Sequence, residues 1–134
     1  MRILSLDIGK KRVGVAVSFT QIISREYTTL SHDDTHKLLQ EIEKIVHRER
    51  IEKVIVGLPK SMDGKDSEYT KYVRQLAQKI QDRIDIDVIL EDERLTTQEA
   101  KRQLINLGAS SEEIEERVDQ YAAKLILEQY LQNY

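Results

Sequence analysis

The stretch that decides the fold is Arg2-Ile3-Leu4-Ser5-Leu6-Asp7-Ile8-Gly9-Lys10-Lys11-Arg12-Val13-Gly14-Val15-Ala16-Val17-Ser18. Two apolar runs, residues 2–7 and 12–18, flank a short segment that contains Gly9. Apolar runs on either side of a tight turn with glycine are typical of a β-hairpin. We therefore predict two antiparallel strands, and the first of them ends on a carboxylate, Asp7.

A third strand and then alternating helices and strands are predicted to follow this hairpin. Residues 21–30 are rich in β-branched and aromatic side chains, which favours a third antiparallel strand. Apolar residues recur at helical spacing over residues 34–50 and 66–82. Each of these predicted helices is followed by a continuous apolar strand, at residues 54–57 and 86–90. Such strands are typical of a parallel sheet that is covered on both faces.

Two capping signals place the last two helices. Thr96 with Glu99 predicts a capping box for a helix that ends near Gly108. Ser110 with Glu113 predicts the start of a final helix that runs almost to the end of the sequence. The expected fold is α/β, with a five-stranded mixed sheet of three antiparallel strands and then two parallel strands, flanked by helices.

Composition limits the class of protein. A length of 134 residues is typical of one domain, here residues 1–134, and 40% hydrophobic with 34% charged residues is typical of a folded globular protein. The sequence contains no cysteine, which excludes disulfides and thiolate metal sites. The first apolar run is too short for a signal peptide or a membrane span. We expect a cytoplasmic protein with no membrane partner.

The net charge of −3 argues against a protein that coats nucleic acid through a strongly basic surface. Four glutamates fall within five residues at the start of the predicted final helix, at positions 112, 113, 115 and 116. Acidic side chains in the first turns interact favourably with the helix dipole, so we interpret this run as a solvated helix start. The rest of the chain is near neutral and leaves room for local basic patches.

Carboxylates occur at three places where the predicted fold could bring them together. Asp7 ends an apolar strand, and Glu91-Asp92-Glu93-Arg94 follows a buried one. Adjacent like charges cost free energy unless a cation or hydrogen-bond donors offset them. Because side chains alternate along a strand, Glu91 and Glu93 would share one face and Asp92 the other.

The third place is Asp119, on the predicted final helix. Ala122 and Ala123 lie three and four residues further on, on the same helix face. Their small side chains would let the helix approach the sheet closely. Plainer interpretations exist for each acid, since Asp7 could cap a turn, Arg94 could pair with a neighbouring acid, and helical aspartates are commonly exposed.

Carboxylates that converge from two strand ends and a helix suit hard cations such as Mg²⁺ or Mn²⁺, which prefer oxygen ligands. Two such ions about 4 Å apart can activate a water molecule and stabilise the leaving oxygen in phosphodiester hydrolysis. The pattern therefore favours a metal-dependent hydrolase of phosphodiesters.

Four segments resemble the YqgF/RuvX family, in that family's order and spacing and across the whole chain. They are Asp7 to Ala16, Val56-Gly57-Leu58-Pro59 with Met62-Asp63-Gly64, Asp92 to Thr97, and Asp119 with Ala122-Ala123 and Ile126-Leu127. The resemblance implies a ribonuclease-H-like fold and a nuclease that matures the 5′ end of pre-16S rRNA. The family was first described as Holliday junction resolvases, by analogy with RuvC. Carried over by position, the catalytic and metal-binding residues would be Asp7, Glu93 and Asp119, with Mg²⁺ or Mn²⁺.

Two positions depart from the family pattern. Phe19 follows Ser18, where the family usually has an aspartate. The predicted strand that ends at Gly57 lacks the glutamate that RuvC-type enzymes carry there, which leaves Glu93 as the substitute.

Basic side chains that could bind substrate phosphates lie on the first hairpin and on the loop over residues 58–65. We predict substrate contacts for Lys11, Arg12, Lys60 and Arg94; the plainer interpretation is that lysines solvate the turns and Arg94 orders Glu93. His32 and His36 are four residues apart but lack an evident third metal ligand. Tyr69, Tyr72 and Tyr121 occur at helical spacing, which favours packing over base stacking.

The leading hypothesis is a metal-dependent nuclease acting on pre-ribosomal RNA, as a monomer or a weak homodimer. Three alternatives stay open. The first is a resolvase of four-way DNA junctions, which would favour a dimer. The second is an ATPase lobe like those of actin and the sugar kinases, against which the length of the chain argues. The third is a noncatalytic RNA-binding module for ribosome assembly, which the missing acid after Ser18 favours.

Overall fold

The computed structural model describes residues 1–61, 63–93 and 95–133, and it confirms the predicted order of elements. In chain order these are β1 (Ile3–Ile8), β2 (Arg12–Ser18), β3 (Arg25–Ser31), α1 (Thr35–Arg48), β4 (Lys53–Pro59), α2 (Glu68–Arg83), β5 (Asp87–Glu93), α3 (Thr96–Asn106) and α4 (Ser111–Asn133). The strands form one sheet in the order β3-β2-β1-β4-β5. β2 pairs antiparallel with both β3 and β1, while β1 with β4 and β4 with β5 pair in parallel. The predicted mixed sheet is therefore correct.

The two faces of the sheet are covered by different helices, and alternation along β1 decides which side chain meets which helix. Leu4 and Leu6 are buried in a cluster that includes apolar side chains of α1 and α2. Ile3 lies on the opposite face, against Ile126 and its neighbours on α4. Ser5 shares that face, because its hydroxyl donates a 2.7 Å hydrogen bond to a carbonyl of α4. Asp7, two residues further, therefore also faces α4.

The predicted start of the third strand was wrong. β3 begins at Arg25 rather than at residue 21. The Thr20 hydroxyl accepts hydrogen bonds from the backbone N–H groups of Ile22 and Ile23, and these two side chains are 83% and 56% exposed. These N–H groups are bonded within a local turn and so do not pair with a neighbouring strand, even though the side chains favour a strand.

β5 extends further than predicted, to Glu93, so the acidic run lies within the strand instead of following it. The predicted capping box at Thr96 was also wrong. The N-cap of α3 is Leu95, in a left-handed conformation (φ 59°) without a side-chain cap bond, and Glu99 pairs with Arg102 instead. The capping box at the start of α4 is confirmed, with reciprocal 3.1 Å bonds between Ser110 and Glu113.

Gly14 is the place where α4 touches the sheet backbone. It pairs with Asp7 in the β1–β2 ladder. A Cβ atom added at Gly14 would lie 1.9 Å from the carbonyl oxygen of Asp119 and 2.1 Å from its carbonyl carbon. Since both partners are backbone, no rotamer change could relieve the clash, and only glycine fits this crossing.

We predict that Gly14→Ala destabilises the protein by about 2–3 kcal/mol or more, because α4 must move away from β2. Gly57→Ala is the matched control, since its new methyl group would meet chiefly the flexible end of the Ile126 side chain, which can move. Urea unfolding of both variants measures the difference. A loss for Gly14→Ala no larger than that for Gly57→Ala would contradict the close contact.

Candidate functional site

Asp7 lies near the end of β1, partly buried under α4 and directly opposite Gly14. Burial, followed by the negative charges of Glu93 and Asp119, raises the pKa of Asp7 from 3.8 to about 7. Asp7 therefore lies close enough to both Glu93 and Asp119 for their charges to act on it. The fold has gathered negative charge that it does not fully offset.

Glu93 is the member of the acidic run whose charge acts on Asp7. It ends β5, and its Oε1 atom accepts a 3.0 Å hydrogen bond from the backbone N–H of Thr96, so it helps to satisfy the first turn of α3. Glu91 is buried and accepts a 2.7 Å bond from the Gln129 side chain on α4. Asp92 forms an ion pair with Lys60 at 3.4 Å.

Asp119 reaches the site from α4. Its backbone crosses β2 at Gly14, which faces Asp7 across the ladder. Its Oδ2 atom accepts a 2.8 Å hydrogen bond from Nε of Arg12, at the start of β2. The small residues Ala122 and Ala123 are fully buried, as expected for a helix that lies close to a sheet.

The three acids have the oxygen donors that Mg²⁺ and Mn²⁺ prefer. Burial is the main cause of the raised pKa of Asp7, and the charges of Glu93 and Asp119 add to it, so a cation bound here would favour the ionised form of this carboxyl group. Within residues 1–61, 63–93 and 95–133, no cluster of three or more His, Asp or Glu side chains is already arranged to hold a metal ion. Oxygens of Asp119 and Glu93 are engaged by Arg12 and by a backbone N–H instead. The residues fit a divalent cation in charge and chemistry, and the bonds to Arg12 and to Thr96 occupy one carboxylate oxygen each of Asp119 and Glu93.

A stack of aromatic rings supports the turn that follows Asp7. The Tyr69 hydroxyl donates a 2.6 Å bond to the carbonyl of Ile8, and Nδ1 of His32 donates a 2.7 Å bond to the carbonyl of Gly9. Nε2 of His32 lies 2.7 Å from the hydroxyl of Tyr72, whose ring stacks on both His32 and Tyr69. Burial and then the charge of Asp7 raise the pKa of Tyr69, which also places this ring near the site.

This arrangement tests two of the sequence predictions, on the histidine pair and on the tyrosines. Both ring nitrogens of His32 have hydrogen-bond partners, so His32 and His36 do not form a metal pair. Tyr69 and Tyr72 pack against the hairpin, as their spacing favoured. Tyr121 is buried, and its hydroxyl donates to Gln103 on α3. Their packing was predicted, but their support of the Asp7 turn was not.

The predicted substrate contacts occupy different positions. Lys11 is exposed at the hairpin, and Arg12 is held by Asp119. Lys60 follows β4, where it pairs with Asp92. Arg94 lies outside the described residues.

Sequence reasoning missed two residues that shape the site. Gly14 interrupts an otherwise apolar strand, which is the usual signal of a close backbone approach. Gln129 carried no such signal, because its bond to Glu91 joins residues 38 positions apart. Among the described residues, no helix combines the length and apolar character needed to cross a membrane.

The sheet order and helix placement define the ribonuclease-H-like fold class. The chain matches Thermus thermophilus RuvC, solved with a Holliday junction substrate, at a TM-score of 0.62 and 13% identity over 99% of this chain and 96% of that one. It matches the fowlpox virus Holliday junction resolvase at a TM-score of 0.58 and 15% identity over 99% of each chain. At such identities the similarity shows the fold.

Sequence comparison narrows this class to a family. The family described as "RuvX: Holliday junction resolvase" matches residues 1–133. A protein of Maridesulfovibrio salexigens named "Putative pre-16S rRNA nuclease" is 35% identical over 132 residues, 98% of each chain. A protein of Thermoanaerobacter pseudethanolicus with the same name is 38% identical over 133 residues, 98% of this chain and 96% of that relative. The chain belongs to the RuvX family, and the resemblance in its motifs is confirmed.

The raised pKa of Asp7 predicts how stability depends on pH. The folded protein binds the Asp7 proton more tightly than the unfolded chain does, so the stability that this proton contributes is complete below about pH 4 and is lost as pH rises through about 7. Asp7→Asn cannot ionise. We predict that this variant exceeds the wild type in stability by on the order of 2–4 kcal/mol at pH 8, and by much less at pH 4.5.

Urea unfolding between pH 4.5 and 9, without divalent cations, measures this difference. Asp82→Asn is the control, because Asp82 is exposed on α2 and bonds to Gln78. A stability difference between Asp7→Asn and wild type that stays constant with pH would contradict the electrostatic coupling.

Proposed function

We propose that this protein is a metal-dependent nuclease that acts in 5′-end processing of pre-16S rRNA. The observation that carries the proposal is the electrostatic coupling of Asp7 with Glu93 and Asp119 on the α4 face of the sheet. Membership of the RuvX family supports phosphodiester hydrolysis, and the names of the relatives support the RNA substrate.

In this proposal Asp7, Glu93 and Asp119 hold Mg²⁺ or Mn²⁺. When bound, such ions supply an activated water molecule and stabilise charge on the phosphate. The protein contributes the position of the carboxylates: Glu93 is fixed by the N–H of Thr96, and the turn beside Asp7 is fixed by Tyr69. Asp7 must be ionised to serve as a ligand, and the positive charge of a cation favours that form.

Substrate binding is assigned to Lys11, Arg12, Lys60 and Arg94, whose cationic groups would contact phosphate oxygens. A pocket lined by Glu112, Glu115 and Glu116 adjoins Arg12 on the side of the first turns of α4. This acidic surface repels a phosphate backbone. We therefore expect RNA to approach from the hairpin and from Lys60 rather than across the start of α4.

The main alternative is cleavage of four-way DNA junctions. The shared fold with RuvC and the fowlpox virus resolvase favours it, and it would require two copies whose sites face opposite strands. A noncatalytic RNA-binding role in ribosome assembly is the second alternative, favoured by Phe19 in place of the usual acid. Family membership argues against an ATPase lobe. We place the protein in the cytoplasm, acting as one domain in a monomer or a weak homodimer.

The test is incubation of the purified protein with a pre-16S rRNA 5′ leader and, separately, with a four-way DNA junction, in Mg²⁺, Mn²⁺ or EDTA. Loss of a metal ligand should cost at least about 100-fold, since even residues that only orient ligands typically cost 10- to 100-fold. We predict RNA cleavage that EDTA abolishes and that Asp7→Asn lowers at least to this extent. Asp82→Asn should cleave like the wild type.

The other outcomes separate the alternatives. Cleavage of the junction but not of the RNA supports the resolvase. RNA binding without cleavage in any metal supports the assembly module. RNA cleavage that persists at full rate in Asp7→Asn contradicts the proposed site while leaving nuclease activity intact.

A further inference from the structure

Arg12 is placed unusually for a substrate-binding arginine. Its Nε atom lies 2.8 Å from Oδ2 of Asp119, and the pair is only partly shielded, with side-chain exposures of 50% for Arg12 and 19% for Asp119. The guanidinium of Arg12, which we assign to RNA binding, therefore neutralises the carboxylate of Asp119, which we assign to metal binding. The two assigned roles therefore make competing demands on one ion pair.

We infer that Arg12 exchanges between two partners, which makes it a coupling residue between metal and RNA. Without a divalent cation it neutralises Asp119; when the cation takes Asp119, the guanidinium is released to bind a phosphate of the RNA. The inference rests on the proposed function and deepens it, since it explains how cation binding prepares the substrate site.

Charge favours the exchange. A guanidinium and a divalent cation that share one carboxylate lie a few ångströms apart, and their repulsion in a partly buried site exceeds what the same charges would feel in water. An ion pair as exposed as this one is typically weak, so the cation can displace the arginine at small cost.

The surroundings of Arg12 give the released side chain a second position. Glu112, Glu115 and Glu116, on the first turns of α4, line a pocket together with Arg12. The guanidinium can turn from Asp119 towards these carboxylates without leaving the protein surface. It then remains beside the hairpin, where an approaching phosphate competes for it.

Linkage gives this exchange two consequences. Because the arginine and the cation compete for Asp119, removal of the arginine charge must strengthen cation binding in the absence of RNA. Because coupling is reciprocal, a bound cation must raise the affinity for RNA, and this enhancement must be smaller without Arg12. A merely structural contact would give the opposite sign, since breaking it loosens Asp119.

The experiment is a calorimetric titration of the RNA-free protein with Mn²⁺. We expect Arg12→Gln to bind Mn²⁺ at least about 3-fold more tightly than the wild type, with Arg12→Lys between them. Arg117→Gln is the matched control: Arg117 lies on α4 and, like Arg12, forms an ion pair with a carboxylate, but its partner is Glu26, outside the site. Its Mn²⁺ affinity should equal that of the wild type. Thermal unfolding confirms that each variant is folded.

A second measurement follows the anisotropy of fluorescent RNA with and without Ca²⁺, a hard cation used here as a probe for the same oxygen ligands. Ca²⁺ should raise the RNA affinity of the wild type by a larger factor than that of Arg12→Gln. Mn²⁺ binding by Arg12→Gln that is equal to or weaker than that of the wild type would overturn the exchange while leaving the nuclease proposal in place. Absence of Mn²⁺ binding in both proteins would overturn the metal site, and the inference with it.

Discussion

The contact between the backbone of α4 and β2 at Gly14 determines where the groups of the candidate site lie. Gly14 faces Asp7 across the ladder, so a helix that rests on Gly14 through Asp119 must bring that residue beside Asp7. The Ser5 hydroxyl fixes the same helix one turn further along, by its bond to the carbonyl of Ala123. These are contacts of backbone and small side chains, which permit little movement.

The site holds more negative charge than the fold neutralises. Ionising Asp7 costs free energy in the folded protein, as its raised pKa shows. Arg12 offsets the charge of Asp119, and the backbone N–H of Thr96 offsets that of Glu93. A protein selected for stability alone would gain by replacing Asp7 with a neutral residue. Natural proteins commonly accept such costs at functional sites, where a ligand supplies the missing charge.

The sequence was sufficient for the sheet, the helices and the face on which the acids lie, because these depend on periodicities of two and 3.6 residues. The sequence was insufficient where contacts between residues far apart in the chain determine the structure. Alternation put Glu91 and Glu93 on one face, and only the contact of Glu91 with Gln129 separates their roles. The cap at Thr96 failed for a local reason instead, since Glu93, three residues earlier, takes part of the role that the capping box would fill. The pairing of Arg12 with Asp119 joins residues 107 positions apart.

The central claim is that α4 and the sheet assemble one cation site from Asp7, Glu93 and Asp119. Anomalous diffraction from crystals soaked in Mn²⁺ tests it most directly. The account predicts an anomalous peak in contact with carboxylate oxygens of all three residues, with the Arg12 side chain withdrawn from Asp119. A peak confined to the glutamates at the start of α4, or one bound by Glu91 in place of Glu93, would contradict it.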